Sequence, residues 1–465
     1  MQKIDTFARD LPRDRQTSVY GGSKSGTEKR LQVLWKDYED PNALRKLAAR
    51  IKQHTLENLD TYLGQAVAAM EGNGIKVHFA PTGEDARQAV LGILRQAGAR
   101  SVMKSKSMAA EEIHLNDHLA KAGLEVLETD LGEFIVQLDN DTPSHIVKPI
   151  IHKNRREIAE TFLKNNIAPD YNDDPETITR RARRYMRGKY MASDAGITGG
   201  NFLVAESGRL VLVTNEGNSR FGMAPNRLHI ALVGIEKLIP RDRDLSVFLN
   251  LLGRSATAQQ LTVYTEFMTG PRAAGQPSGP EEMHVVLMDN GRSRVLASNC
   301  KEILRCIRCG ACQNVCPVYR QASGHAYRAT YGGPVGAVLS PLLAGDRFPE
   351  LADLPKASSL CGACNEVCPV DIPIPDLLLR LRDKAKTEHA PSGTSVPMGP
   401  FAMLATSPSL WRTSMTMSKA MNYLPIRYTP VPLLQGWLRT RSLPPSMGGE
   451  FRKWWARRNK DRSAG

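Results

Sequence analysis

Apolar residues recur at helical spacing from the start of the chain to about residue 70. Across Lys29–Lys52 they fall at Leu31, Val33, Leu34, Leu44, Leu47, Ala48 and Ile51, and a second such stretch runs from Leu56 to Met70. This spacing predicts amphipathic helices. The pattern then changes. Short apolar runs at Ile75–Ala80, Ser101–Lys104, Leu124–Thr129 and Phe134–Leu138 predict strands, and helical stretches separate the first three. Thr82-Gly-Glu-Asp85 opens one of those helices with an N-cap and acids in the first turn. Another spans Ala109–Ala122 and stops at Gly123. Strand and helix in alternation predict βαβ units, hence a mainly parallel sheet covered by helices.

Residues 145–195 read as helical and rich in Arg. Phe202–Ala205 and Arg209–Thr214 flank Glu206-Ser-Gly208, a hairpin signal. Further strands are expected at His229–Val233, Leu261–Tyr264 and His284–Met288, with Gly270–Pro280 a surface loop. From Cys300 the pattern is helix and loop. Tyr331–Gly336 is a turn, followed by an apolar helix near Leu339–Leu343. After Glu388 the chain turns Pro- and Met-rich, and it closes on a basic aromatic helix, Phe451–Arg458. The expected organisation is a helical segment (1–70), an α/β domain (71–297), a cysteine-rich domain (298–388) and a tail (389–465).

At 465 residues two or three domains are expected. Met1–Arg13 carries charge but no apolar run follows, and no stretch of about 18 apolar residues exists, so neither a secretory leader nor a membrane span is expected. The net charge of +14 is unevenly placed. From His389 onward eleven Lys/Arg face two acids, so the tail supplies +9 of it. Such a tail predicts an anionic partner, either a protein or a membrane surface, or else a solvated tail that wraps its own protein. Nucleic acid is not expected, because no binding motif is present and aromatics are sparse.

Cysteine placement changes the picture most. Seven of the eight lie in two blocks, Cys306-Ile-Arg-Cys309-Gly-Ala-Cys312-Gln-Asn-Val-Cys316-Pro317 and Cys361-Gly-Ala-Cys364-Asn-Glu-Val-Cys368-Pro369. The first is the C-x2-C-x2-C-x3-C-P run of bacterial ferredoxins, in which three cysteines hold one cubane and the fourth reaches the other. Thiolate is the soft ligand that such iron prefers. A zinc site needs one or two C-x2-C pairs, not four cysteines followed by proline. Two 4Fe-4S clusters are therefore expected, and with them a reducing cytoplasm. By the crossover rule Cys306, Cys309, Cys312 and Cys368 complete the first cluster, while Cys316, Cys361 and Cys364 hold the second. Ser358 stands where the second block lacks a cysteine. That corner is open to Ser358, a solvent ligand, a partner's side chain or an absent iron, which would make a 3Fe-4S cluster. Cys300 reads as a core thiol. No G-x-G-x-x-G fingerprint sits at a strand–helix turn, so NAD and FAD are not expected.

Several motifs together resemble a known family. Val102–Met108, Glu111–Asn116 and Glu128–Phe134 are similar to the signature of the LUD (lactate utilization) domain, and Gly196–Gly208 with Thr214–Asn218 extend the likeness. With two cluster blocks and a basic Trp-containing tail behind it, the chain resembles the lactate utilization protein B family over nearly its full length. The three-cysteine second block is that family's pattern too. The resemblance implies an α/β LUD domain with the fold of ribose-5-phosphate isomerase and CoA transferases, ahead of an α-helical ferredoxin-like double-cluster domain. It also implies a role in oxidising L-lactate to pyruvate with two partners. These are a cysteine-rich protein similar to heterodisulfide reductase subunits and a smaller LUD protein.

Candidate ligand-binding residues follow from position. Lys104 and Lys106 stand at a strand end, where α/β proteins bind ligands, and their ammonium groups suit a carboxylate. Glu206 lies where acyl-transfer relatives of the implied fold place a functional carboxylate. Asn201, Thr214 and Asn215 are candidates for the same pocket, and His229 reads as a core or edge histidine. Trp437, Trp454 and Trp455 beside arginines suit a membrane interface, at the inner face of the membrane, or a partner subunit. Three functional readings stand at this point. They are an electron-transfer subunit, a self-sufficient 2-hydroxy acid oxidoreductase with substrate in the LUD domain, and a non-catalytic redox scaffold.

Overall fold

The structure, a computed structural model, describes residues 4–388, 399–418 and 450–463. Among the described residues ten strands form two sheets. They are β1 (Lys76–Ala80), β2 (Ser101–Lys104), β3 (Glu125–Glu128), β4 (Ala195–Thr198), β5 (Phe202–Val204), β6 (Leu210–Thr214), β7 (Leu228–Gly234), β8 (Leu238–Ile239), β9 (Tyr264–Met268) and β10 (Glu282–Met288). The larger sheet has the order β1-β10-β7-β4-β2-β3, and every pair is parallel. The smaller has the order β8-β5-β6-β9.

The sequence explains the larger sheet. All of β7 is buried, as a parallel strand covered on both faces must be. Ile230 and Leu232 join one apolar layer with Val90 and Leu94, whereas Ala231 and Val233 join the opposite layer with Met70 and Leu203. The hairpin expected around Glu206–Gly208 joins β5 to β6.

Other expectations need correction. Phe134–Leu138 is not a strand but part of a helix, Leu131–Leu138. Asp130 caps it by accepting the Glu133 N–H at 3.0 Å; Phe134, Ile135 and Val136 are all buried, the first two against the following helices. A short, wholly apolar run carries no period, so it fits helix and strand alike. Residues 145–195 are not continuously helical. Turns fill 145–153, and helices occupy Arg155–Lys164 and Pro175–Ala192. The expected Ala109–Ala122 helix is broken at His114, whose φ is +50°. The Lys29–Lys52 stretch divides into the helices Arg13–Asp37 and Pro41–Glu57. The second starts where Asp40 accepts the N–H groups of Asn42 and Ala43, with Pro41 fitting the first turn. The strand expected from Leu261 begins at Tyr264.

Ile4–Glu388 pack as one compact unit, and the described residues from Gly399 onward belong to a second. Within the first unit the N-terminal helices clamp the cysteine-rich region. The Arg30 guanidinium donates to the Val367 carbonyl, and Arg45 donates to the carbonyls of Cys368 (2.7 Å) and Asn365 (2.9 Å). One apolar core includes Val19 and Leu34 from these helices, Phe202 and Val211 from the smaller sheet, and Tyr319 and Leu339 from the cysteine-rich region. Packing therefore continues across the boundary that composition suggests at residues 297–298. The second unit holds helices at Gly399–Thr406, Pro408–Met417 and Glu450–Ser463. Among the described residues no helix is long and apolar enough to cross a membrane.

Candidate metal centre and an adjoining crevice

The two cysteine blocks repeat in backbone as they do in sequence. Arg308 and Leu360, each just before a C-G-A-C unit, have φ of +61° and +55°. Gly310 and Gly362, inside the units, have φ of +72° and +85°. Glycine reaches that region freely, and here it lets the chain turn back so that flanking thiols face one centre. A short helix follows each turn, Ala311–Val315 and Ala363–Glu366. Pro317 then opens a further helix right after Cys316, where a missing N–H costs nothing.

Backbone N–H groups converge on the sulfurs. Arg308 N–H lies 3.4 Å from Cys306 Sγ and Ile372 N–H 3.4 Å from Cys368 Sγ. Cys309 receives the N–H of Ala311, and Cys312 that of Val335. Cys316 receives those of Val318 and Tyr319, and Cys368 also that of Val370. All eight cysteines are free thiols. Burial, and after it neighbouring cysteines, raise Cys309 and Cys364 to about 12 and Cys312 well above its usual value. Bare thiols in these positions stay protonated. A coordinated metal removes those protons and supplies the charge the sulfurs need.

Electrostatic influence shows which sulfurs are neighbours. Cys309 feels Cys306 and Cys368, and Cys312 feels Cys306 and Cys309 and, across to the second block, Cys364. Cys364 feels Cys316 and Cys361, and Cys316 feels Cys361. Arg30 lies close enough to Cys309 and Cys368 for its charge to be felt, and so does Arg305 to Cys368. Such a cationic surround suits a net-anionic, thiolate-bound cluster. The donor set therefore fits iron–sulfur cubanes. Cys361 is exposed at the surface, unlike buried Cys309 and Cys368. Ser358 Oγ accepts the Leu360 N–H at 3.1 Å, a turn contact. Cys300 is buried and donates to Asn299 Oδ1 at 3.3 Å.

Beside the first block lies a crevice of about 360 Å³, at the carboxyl ends of β2, β4 and β7. Ligands of open α/β sheets bind at such ends. Lys106, Asn201, Thr214 and Asn215 line it, and so do Arg308 and Tyr331 from the cysteine-rich region. Glu236, just past β7, ties the two parts together. Arg308 Nη2 is 3.2 Å from Glu236 Oε1, and Arg292 Nε donates to Oε2 of the same carboxylate. Arg292 also pairs with Glu112 at 2.9 and 3.0 Å, and the Tyr331 hydroxyl donates to Glu112 at 2.8 Å. Burial alone would raise the Glu236 carboxyl; Arg292 and Arg308 instead hold it down at about 2.

Three family matches cover most of the chain. Residues 63–288 match the LUD domain, 302–372 the 4Fe-4S dicluster domain, and 381–460 the lactate utilisation protein B C-terminal region. "Lactate utilization protein B" of Oceanobacillus iheyensis is 41% identical over 99% of this chain and 96% of its own. The chain belongs to the lactate utilization protein B family. The Bacillus subtilis member is 40% identical over 98% of this chain and 96% of its own. The "Uncharacterized electron transport protein YkgF" of Escherichia coli is 44% identical over 90% of this chain and 88% of its own. A crystal structure of a DUF162 family protein from Deinococcus radiodurans spans 50% of this chain and 98% of its own, at 12% identity and a TM-score of 0.29. Like the family, this chain has a LUD domain followed by a dicluster domain, and it carries two 4Fe-4S clusters.

Not every candidate residue meets at the crevice. Lys104 does not face it. Its ammonium is fully buried, 2.7 Å from Glu128 and 3.4 Å from Glu111, so its charge is already used. Alternation along β2 turns Lys104 inward, and a strand-end position does not reveal this. Lys106 lines the crevice but donates to the Ile146 carbonyl and lies 4.0 Å from Glu133. Glu206 is exposed on the β5–β6 turn, where it accepts the Asp242 N–H at 3.0 Å. It is not among the crevice residues. His229 is buried and shares a 2.8 Å hydrogen bond with Thr198; burial lowers it to about 3. Sequence reasoning missed Glu236, Lys237 and Arg308. The available signal was their place, just past a buried parallel strand or inside a cysteine block.

Proposed function

We propose that this protein is the iron–sulfur electron-relay subunit of an assembly that oxidises L-lactate to pyruvate. Cys306, Cys309, Cys312 and Cys368 would hold the first cluster, and Cys316, Cys361 and Cys364 the second. Each cubane carries one electron at a time between a donor and an acceptor.

The observation that carries the reading is the placement of the two ends of the cysteine array. Cys306 adjoins the crevice through Arg308, whereas Cys361 lies exposed. One end meets the crevice and the other meets solvent, an arrangement that suits a relay. Between them the chain's own residues set the surroundings. Backbone N–H groups and Arg30, Arg45 and Arg305 favour the added negative charge, and buried Tyr319 and Tyr327 exclude water. The expected partners are a cysteine-rich protein similar to heterodisulfide reductase subunits and a smaller LUD protein. Phe451, Trp454 and Trp455 form an exposed aromatic cluster on the last helix, a contact surface for a membrane or a partner. Trp437 lies outside the described residues.

Lactate-dependent dye reduction tests the reading. Anaerobically purified protein is expected to reduce no dye alone and to do so once both partners are added. No turnover in the full mixture would leave only a scaffold role.

A further inference from the structure

Five cationic side chains line the crevice against three carboxylates. Four of the five cations are engaged. Arg292 and Arg308 pair with Glu236, Lys106 donates to the Ile146 carbonyl, and Lys148 donates to the Gly22 carbonyl at 3.2 Å. Lys237 is the exception. Among the described residues it makes no hydrogen bond and no ion-pair contact. Its half-buried position costs solvation that the nearby charges of Glu236 and Cys306 offset only in part, and no hydrogen bond makes up the rest, which suits a group able to take an anion. It stands close enough to Cys306 to feel that sulfur, so a bound anion sits beside the first cysteine block.

The rest of the lining narrows the ligand. Ser105 is 5% exposed, and its hydroxyl has no hydrogen-bond partner. It therefore offers a hydrogen bond to a polar atom inside the crevice. Leu212, Leu232 and Leu252 supply an apolar wall. A cation, an unpartnered hydroxyl and an apolar wall suit a carboxylate, an oxygen on the adjacent carbon and a short alkyl end. The volume of about 360 Å³ admits such an acid with several waters, each taking roughly 30 Å³.

We infer that this crevice binds a small 2-hydroxy or 2-oxo monocarboxylate, with Lys237 holding the carboxylate and Ser105 the 2-oxygen. The choice of acid rests on the function proposed above; the anion site rests on Lys237 alone. The binding chain is then also the relay chain, and the acid sits next to the first cluster.

Equilibrium binding of 13C-labelled L-lactate and pyruvate to the anaerobically purified full chain tests this by NMR. Saturable binding is expected for both acids. Lys237→Met is expected to weaken it by about tenfold or more, the scale of one charge-assisted hydrogen bond, while Lys237→Arg retains most of it. Because Lys237 bonds to nothing, the Met variant leaves no group orphaned, and unchanged iron content and circular dichroism verify its fold. Ser105→Ala is expected to weaken lactate and leave acetate unchanged. Absence of saturable binding, or a Lys237→Met variant that binds like the parent, overturns the site. Inorganic phosphate displacing lactate at equal concentration overturns the carboxylate assignment. Dye reduction by the three-protein mixture is read separately, so a failed binding test does not count against the relay, nor a failed relay against the site.

Discussion

Arg308 and Glu236 face each other at 3.2 Å, one inside a cysteine block and the other at the end of a buried parallel strand. This contact joins the metal centre to the crevice. Arg308 also gives its backbone N–H to Cys306 Sγ and lays its guanidinium over the Tyr331 ring, 4.8 Å from the centroid.

Glu236→Gln strands Arg292 and Arg308 in the interior. Breaking a buried pair of this kind costs about 3–5 kcal/mol. The Glu236 carboxyl is held at about 2, below its ordinary 4.5, so its contribution is fully present above about pH 4.5 and is lost as pH falls toward 2. Anaerobic urea denaturation is expected to show a lower midpoint for the variant by the same margin at pH 6, 7 and 8. A deficit that closes within that range would contradict the assignment.

Lys104→Met tests a structural role against a ligand-binding one. The fully buried Lys104–Glu128 pair predicts a loss of about 3–5 kcal/mol in stability. Lactate affinity of the folded variant is expected to stay within about twofold of the parent, a change of about 0.4 kcal/mol. Loss of binding with stability intact would reverse this.

His145 gives a pH signature. Burial, then Lys106 and Lys148, lower it to about 3, and its imidazole is buried against the first cysteine block beside Asn314. The unfolded chain binds a proton near pH 6.5 that the folded chain refuses until about 3, so stability is fully present above 6.5 and falls as pH drops below it. His145→Gln is expected to flatten the decline between pH 7.5 and 5.5 by up to about 1.4 kcal/mol. Identical slopes for parent and variant would contradict the neutral imidazole.

The sequence carried some of this well and some of it poorly. Cysteine spacing declared the metal centre, because a short loop must bring thiols together whatever surrounds it. Strand–helix alternation declared a parallel sheet through β1, β2 and β3, whereas β7 and β10, legible only as strands, supply its buried centre. Phe134–Leu138 misled, because its capping residue Asp130 and its helical partners decide its form. Lys104 misled because a lysine reads as solvated until Glu128 and Glu111 are seen around it. The clamp of Arg30 and Arg45 on the cysteine-rich region spans more than 300 residues of chain, and no local pattern announces such a contact.

The last helix predicts surface binding. Phe451, Trp454 and Trp455 cluster beside Arg452, Lys453, Arg457 and Arg458, a basic aromatic surface suited to an anionic interface. Vesicles containing anionic lipid are expected to float the full chain at low salt and not a chain ending at Pro391. Equal flotation of the two would assign this surface to a protein partner.

The pair of cubanes underlies every role assigned to this chain. Iron and sulfide counts with EPR on anaerobically purified protein, as isolated and reduced, test it most directly. About eight iron per chain and coupled signals from two reduced 4Fe-4S clusters are expected. Zinc with little iron, in protein that never met oxygen, would contradict it.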